Sequence, residues 1–229
     1  MGEVLRGVHK AARREGYHIL FEPFVYGQDP KDRYVQVIRE HHADGIVLSG
    51  PRFDDQQLVD LHQEGVPIVL QGRLPGSNIP CVDVDNVAGA RLATEHLICL
   101  GHQDIGLITN GPTVYTAASD RQMGFLHALQ EAGLPVNKDW IKHGAFTPQS
   151  GFSAMQELLE QDDRPTAVFV ASDTVAIGAL DAVRKAGLSV PEDLALVGFD
   201  DVPWAAYVDP PLTTVRLPAH ALGWGAGYL

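Results

Sequence analysis

The chain has 229 residues, 45% of them hydrophobic and 20% charged, and a formal net charge of −12. This composition predicts a globular protein with a sizeable core, while the acidic balance and the lack of a Lys/Arg-rich run argue against a surface that binds nucleic-acid phosphates. Cys81 and Cys99 give neither a disulfide framework nor a zinc-ligand spacing, which fits a reducing compartment. No run reaches the ~18 apolar residues of a membrane span and no signal-peptide core opens the chain, so we expect a cytoplasmic protein without membrane contact.

In chain order, short apolar runs alternate with segments whose apolar residues recur every three or four positions. The chain opens on such a helical segment at residues 2–15, and another begins at Ala219. Strands separated by helices of ten or more residues form parallel sheets with helices on both faces, so the predicted fold class is α/β. The predicted strands are residues 18–22, 45–49, 67–71, 81–84, 105–109, 167–171 and 194–199, with a weaker candidate at 140–145.

Two carboxylates, Asp200 and Asp201, directly follow the apolar run at residues 194–199. In an open parallel sheet, ligands bind just beyond the carboxyl ends of the strands. We therefore expect these carboxylates to lie where a small polar molecule is held.

A second carboxylate pair, Asp83 and Asp85, lies two residues apart in a strand-like segment, so both side chains should project to one face. Such a pair can hold a metal ion or accept sugar hydroxyls. Alternatively, Asp85 or Asn86 caps the helix that starts at Val87. The sequence leaves these interpretations open.

Arg121 shares a helical face with Phe125, a face that should be buried. It lies in the first turn of its helix, near the carboxyl end of the strand at residues 105–109. A buried guanidinium needs an acceptor, and its planar fork suits a carboxylate or vicinal hydroxyls of a ligand. The alternative is a structural ion pair with Asp120 or Asp85.

Further candidates follow the other strands. Phe146 could stack on the face of a sugar or a base, although a core position is the commoner role for such a residue. Ser172 is a candidate hydrogen-bond donor, and Asp173 is expected at the N-cap or first turn of a helix. The histidines form no ligand set and no catalytic motif is present, so we predict no metal, no cofactor and no enzymatic activity.

Several spaced motifs resemble, in the same order, those of the LacI/GalR family of transcriptional regulators. Together they span residues ~80–218, and such an ordered set is specific. The motifs are Val-Asp-Val-Asp-Asn at 82–86, the Gly-Ala-Arg-Leu-Ala-Thr-Glu-His-Leu run at 89–97, Gly-His-x-x-Ile at 101–105, Ser-Asp-Arg-x-x-Gly-Phe at 119–125, Ser-Asp-x-x-Ala-Ile-Gly at 172–178, Val-Pro-x-Asp at 190–193, Gly-Phe-Asp-Asp at 198–201 and Leu-Thr-Thr-Val at 212–215.

The resemblance implies a type I periplasmic-binding-protein-like fold: two doubly wound parallel-sheet lobes, joined by three crossovers, with a small-molecule effector in the cleft. Lobe one would comprise residues 1–85 plus 217–229, and lobe two residues 86–216. The resemblance also implies a homodimer formed through outer helices, for which residues 2–15 and 202–207 are candidates. Mapped by motif, the family's effector contacts fall on Asp85, Arg121, Phe146, Ser172 and Asp200.

The chain departs from the family pattern at both ends. It contains neither the helix-turn-helix through which such regulators bind operator DNA nor the family's first core strand and final helix. The leading interpretation is therefore a truncated effector-binding and dimerisation domain that senses a sugar or a related metabolite. The alternatives are a sugar-binding protein of a transport system, which a leader peptide would favour, and a metal-dependent glycosyltransferase that uses Asp83 and Asp85.

Overall fold

The computed structural model describes residues 2–22, 30–40 and 42–229. Within these ranges, eight α-helices and eight β-strands follow one another, with short 3-10 turns at Lys138–Trp140 and Pro203–Ala206. In chain order they are α1 (Gly2–Arg14), α2 (Pro30–Arg39), β1 (Ile46–Ser49), α3 (Gln56–Gln63), β2 (Ile68–Gln71), β3 (Cys81–Val82), α4 (Asn86–Cys99), β4 (Ile105–Thr109), α5 (Thr116–Glu131), β5 (Ile141–His143), α6 (Pro148–Leu159), β6 (Ala167–Val170), α7 (Asp173–Lys185), β7 (Ala195–Asp200), β8 (Thr213–Arg216) and α8 (Ala219–Tyr228).

The strands form two sheets, and every pairing between neighbouring strands is parallel. One sheet has the order β1-β2-β3 and the other the order β5-β4-β6-β7-β8. Each sheet belongs to its own compact unit. The small unit comprises Met1–Val84, Val114–Thr116 and Pro218–Leu229, and the large unit comprises Asp85–Thr113 and Ala117–Leu217. The predicted α/β class with parallel sheets is confirmed.

The large unit is built around three central strands, β4, β6 and β7, whose residues are almost all buried. Their sequences are continuous apolar runs because helices cover both faces of the sheet. Helices α6 and α7 contribute Met155, Leu158 and Val183 to the core on one face. Helices α4 and α5 contribute Leu97 and Phe125 to the core on the other. The carboxyl ends of the five strands therefore meet at one edge of a rigid layer.

The small unit packs α2 and α3 against its sheet through a core that includes Tyr34, Leu58 and Leu70. Helices α1 and α8 also belong to this unit and cross at very short range. A Cβ at Gly7 would overlap the carbonyl oxygen of His220, and one at Gly223 would overlap the carbonyl oxygen of Val4. Only glycine permits this approach of two helix backbones.

Two strand predictions differ from the structure. Residues 18–22 pair with no described strand, and Leu20 and Phe21 remain 61% and 49% exposed, because a strand forms only where a neighbour supplies its hydrogen bonds. Conversely, Thr213–Arg216 forms the edge strand β8, although the strand pattern was not recognised there. Its residues are polar or half-exposed, as an edge position allows.

Among the described residues, no helix combines the length and the apolar character that crossing a bilayer would require. Trp204 and Tyr207, two aromatic residues in the candidate dimer segment 202–207, do not pack into the core. They are 70% and 81% exposed, and their rings meet edge to face with centroids 6.5 Å apart.

Candidate functional site

Polar side chains gather at the carboxyl edge of the five-stranded sheet. Asn110 follows β4, Ser172 follows β6, and Asp200 is the last residue of β7. Arg121 reaches the same edge from α5, as the sequence analysis expected. This edge is where parallel sheets bind ligands.

Arg121 is the centre of this group and is only 6% exposed. Its Nε donates to Asn86 Oδ1 at 2.9 Å, and its Nη1 donates to the carbonyl oxygen of Ala171 at 2.6 Å. Nη1 also lies 3.3 Å from Asp200 Oδ1. The guanidinium carbon lies 3.9 Å from the centroid of the Phe199 ring, a cation–π contact. The carboxylate beside Arg121 in this structure is thus Asp200, a partner that the sequence-based ion-pair alternative did not consider.

Asp200 is held from a second side by Ser172, whose Oγ donates to Asp200 Oδ2 at 3.0 Å. Burial raises the pKa of the Asp200 carboxyl, and the neighbouring Arg121 and the Ser172 hydrogen bond only partly offset this effect. Carboxylate oxygens accept more than one hydrogen bond each, so Asp200 retains capacity for a ligand donor.

Ser172 occupies the N-cap position of α7, but its hydroxyl does not cap the helix. The hydroxyl instead donates its hydrogen bond to Asp200. The next residue, Asp173, is completely buried. Its Oδ1 accepts from the Thr214 hydroxyl at 2.6 Å and its Oδ2 accepts from the Val202 N–H at 2.9 Å. Burial, partly offset by these hydrogen bonds, raises the pKa of Asp173 to about 6.

Three non-glycine residues at this edge have a left-handed backbone. Their φ angles are 61° at Phe146, 118° at Asp200 and 54° at Asp201. Such conformations cost roughly 1–3 kcal/mol each and persist where the surroundings enforce them, often at functional sites. The strain therefore coincides with the polar group described above.

Phe146 follows the edge strand β5, which is three positions from the Asp200 strand, β7, in the order of the sheet. Its N–H donates to the carbonyl oxygen of Asn110 at 2.8 Å. Its ring lies so close to Gly111 that a Cβ there would overlap ring carbons, yet 36% of the residue remains exposed. The Oδ1 of Asn110 is buried without a hydrogen-bond partner in the described part of the chain.

Strands β4 and β6 both lie between β5 and β7, so two strands separate the ones that Phe146 and Asp200 follow. The structure thus brings Arg121, Ser172 and Asp200 into one hydrogen-bonded group, while Phe146 lies further along the same edge. Asp85 is exposed and acts as the N-cap of α4, with its Oδ1 accepting from the Ala88 N–H at 2.8 Å.

Two residues of the group were missed from the sequence. Asn86 is buried and contacts Arg121, although it was considered only as a helix cap. Asp173 was expected only as a cap or first-turn residue. For both, the available signal was a polar residue at the start of a helix, a pattern that ordinary capping explains equally well. Within the described ranges, no three His, Cys, Asp or Glu side chains are grouped so that they could hold a metal ion.

Comparison with known proteins identifies the family. A protein-family profile described as "Periplasmic binding protein-like domain" matches residues 94–227. The chain is 34% identical over 222 residues to the HTH-type transcriptional repressor CytR of Escherichia coli (strain K12), an alignment that covers 96% of this chain. The chain spans 65% of the length of that relative.

Solved structures agree with this relationship. A regulatory protein of the LacI family from Chloroflexus aggregans is 36% identical, with a TM-score of 0.83 over 99% of this chain and 82% of that one. A complex of the transcriptional regulator CelR with cellobiose is 35% identical, with a TM-score of 0.88 over 99% of this chain and 69% of that one. A LacI family regulator from Enterococcus faecium with bound ribose is 25% identical, with a TM-score of 0.84 over 99% and 82%.

These matches confirm the expected periplasmic-binding-protein-like fold of type I. They also extend over the strands and helices that position Arg121, Ser172 and Asp200, since the structural alignments cover 99% of the chain. The chain therefore belongs to the LacI family of transcriptional regulators and carries the effector-binding domain of that family.

Proposed function

We propose that this domain senses a small, neutral, polyhydroxylated metabolite, a sugar in the first place, at the carboxyl edge of the five-stranded sheet. The observation that carries the proposal is the hydrogen-bonded group formed by Arg121 and Ser172, which are buried, and Asp200, which is half-buried, at the ends of β6 and β7. Its chemistry matches hydroxyl groups, which donate to a carboxylate and accept from a guanidinium. Asp85 and Phe146 remain proposed contacts.

Charge favours a neutral ligand over a phosphorylated one. The Nε and Nη1 donors of Arg121 already serve Asn86, Ala171 and Asp200, and the Asp200 carboxylate would repel a phosphate group. The buried Oδ1 of Asn110 is a further acceptor at this edge. Several hydrogen-bond acceptors at one site favour a ligand with many hydrogen-bond donors, such as sugar hydroxyls. The relatives that hold cellobiose and ribose support this ligand class.

The wider role follows from the family. Ligand binding would shift an equilibrium between two conformations of a cytoplasmic regulator, and that equilibrium would control binding to operator DNA. We expect the 229 residues to pair as a homodimer, with the exposed aromatic rings of Trp204 and Tyr207 as candidate anchors. With a net charge of −12, this chain by itself should show no salt-sensitive binding to duplex DNA.

A thermal-shift screen followed by calorimetry tests the ligand class. The panel holds cellobiose, D-ribose, D-galactose, adenosine, hypoxanthine and glucose 6-phosphate, each at millimolar concentration. A ligand present at 100 times its Kd stabilises the folded state by about 2.7 kcal/mol, so the melting temperature should rise by several degrees with at least one neutral sugar.

Two variants make the screen specific to the proposed site. Asp200→Asn should weaken sugar binding ~10-fold or more, because an amide replaces the carboxylate acceptor. Asp162→Asn changes an exposed aspartate of the same unit and should leave binding unchanged. Stabilisation by glucose 6-phosphate or hypoxanthine but by no neutral sugar would contradict the proposal.

A further inference from the structure

The turn that follows β7 contains two consecutive residues with a left-handed backbone, Asp200 and Asp201. Each non-glycine residue in this region is held there at a cost of roughly 1–3 kcal/mol. The turn decides where the Asp200 carboxylate points, so the groups that hold it also determine the geometry that the ligand meets.

Asp173 contacts this turn at its far end. Its Oδ2 accepts from the N–H of Val202, the residue that directly follows the two strained aspartates. Its Oδ1 accepts from the Thr214 hydroxyl of β8, and Thr214 Oγ1 in turn accepts from the Asp201 N–H at 3.4 Å. One carboxylate thereby ties α7, the turn and the neighbouring strand together.

The Asp173 carboxylate occupies space that a glycine in β7 leaves open. A Cβ at Gly198 would overlap Asp173 Oδ1, so only glycine at this position of β7 lets the carboxylate lie against the strand. The groups that donate hydrogen bonds to Asp173 are uncharged, and the charged group that acts on it is the like-charged Asp200. An ionisable side chain in such a place is costly to the fold, which points to a role beyond packing.

The preceding residue completes the arrangement. Ser172 donates to the Asp200 carboxylate, and Asp173 accepts from the Val202 N–H, so adjacent residues at the N-terminus of α7 contact the first strained residue and the residue that follows the pair. From this geometry we infer that Asp173 is a positioning residue for ligand binding, which orients the Asp200 carboxylate by fixing the Asp200–Val202 turn. This inference rests on the proposed function of Asp200.

The first experiment needs no ligand. In ¹⁵N-labelled protein, the Val202 amide resonance is followed between pH 4.5 and 7.5. It should titrate with a midpoint near 6 in the unchanged chain, because the pKa of its acceptor Asp173 lies at about 6. The titration should vanish in Asp173→Asn. A Val202 resonance that titrates identically in Asp173→Asn would overturn the inference, since Asp200 would then be its source.

The second experiment measures affinity for cellobiose and D-ribose by calorimetry at pH 7.5. Asp173→Ala should weaken binding ~30-fold, and Thr214→Val, which removes one of the two bonds, ~5-fold. Asp173→Asn should restore most of the affinity, because an amide can accept from Val202 and donate to Thr214. Thr213→Val, the exposed neighbour on β8, is the matched control and should bind as the unchanged chain does.

The outcomes separate the inference from the function on which it rests. A lower melting temperature of Asp173→Ala with unchanged affinity would make Asp173 purely structural and would overturn the inference. If the unchanged chain binds neither sugar, the proposed ligand class is wrong, and the Val202 titration alone decides whether Asp173 holds the turn.

Discussion

The two sheets end in different ways at their carboxyl edges. In the small unit, the residues with positive φ that follow β1 and β2 are glycines, Gly50 at 73° and Gly72 at 109°. In the large unit, the corresponding backbone conformations after β5 and β7 are adopted by Phe146 and by Asp200 and Asp201. Glycine takes up such angles without strain, whereas an aromatic or an acidic side chain does not.

The polar contacts at the two edges also differ, because the one at the small sheet joins neutral side chains and the one at the large sheet joins charged side chains. At the small sheet, the Ser49 hydroxyl donates to Gln71 Oε1, a contact between two neutral side chains. At the large sheet, the buried guanidinium of Arg121 lies beside the half-buried carboxylate of Asp200, and the buried Asp173 lies close by. The comparison teaches that strained non-glycine residues and an ion pair occur together at the edge of the large sheet, where we propose that the ligand binds.

The largest expected effect comes from removing the buried cation. Arg121→Ala leaves Asp200 without its counter-charge, so the free energy of unfolding should fall by about 3 kcal/mol and sugar affinity by about 2–4 kcal/mol. The matched change in the small unit is Arg52→Ala, which breaks a pair with Asp54 at the surface and should cost about 1 kcal/mol or less. Urea denaturation of both variants checks this ordering, and equal losses would remove the contrast between the two units.

The glycine side of the comparison is tested by Gly72→Ala. Its φ of 109° disfavours alanine, and the new Cβ would lie 2.7 Å from Pro51 Cδ, so we expect a loss of about 2 kcal/mol in stability. Asp201→Gly is the reverse exchange in the large unit and should stabilise the fold by up to about 1 kcal/mol through relief of strain. A stabilising Gly72→Ala in thermal or urea denaturation would contradict this account.

The buried carboxylate predicts an unusual pH dependence. Because the pKa of Asp173 is raised to about 6 in the folded state, the protonated form favours folding. The stability contributed in this way is present below about pH 4 and is lost as the pH rises towards 6, by about 3 kcal/mol. Asp200, whose pKa is also raised, acts in the same direction.

The measurement is the free energy of unfolding between pH 4 and 7, for the unchanged chain and for Asp173→Asn. The difference between the two curves should grow in favour of the asparagine variant as the pH rises through this window. A constant difference would mean that Asp173 titrates at its ordinary value in the folded chain.

The smallest effect on folding is expected at the exposed aromatic pair. Replacing Trp204 and Tyr207 with alanine should change the free energy of unfolding by less than ~0.5 kcal/mol, because neither ring belongs to the core. If the pair anchors a homodimer, sedimentation at tens of micromolar should shift from dimer to monomer in this variant. A variant that still sediments as a dimer would place the contact elsewhere.

The sequence predicted strands best where every residue of the strand is buried. The strand Ile105–Thr109 was predicted to the residue, because a short, largely apolar run between two helical segments indicates a buried strand. The edge strand β8 was missed, since its residues, half-exposed and partly polar, carry no such signal. Residues 18–22 had the apolar character of a strand, but no strand in the described part of the chain pairs with them.

At the candidate site, residue type gave the location but not the contacts. Asp200 and Ser172 were predicted because they end strands, and Arg121 because it is a cation on a buried face. That Arg121 meets Asn86 and Asp200 depends on the register of three strands and two helices, which local patterns do not contain. The left-handed angles at Asp200 and Asp201 are likewise set by tertiary contacts, and aspartate merely tolerates them better than most residues.

The glycine crossing of α1 and α8 has a consequence for the order in which the chain becomes folded. Helix α8 begins at Ala219, after every residue of the large unit has been synthesised, yet Gly223 and Gly227 are the surfaces onto which Val4 and Val8 of α1 pack. The apolar face of α1 therefore remains uncovered until helix α8 has been synthesised. The large unit, residues 85–217 apart from three, can complete its core first, so the small unit, which contains α1, is completed after the large unit that is inserted into it.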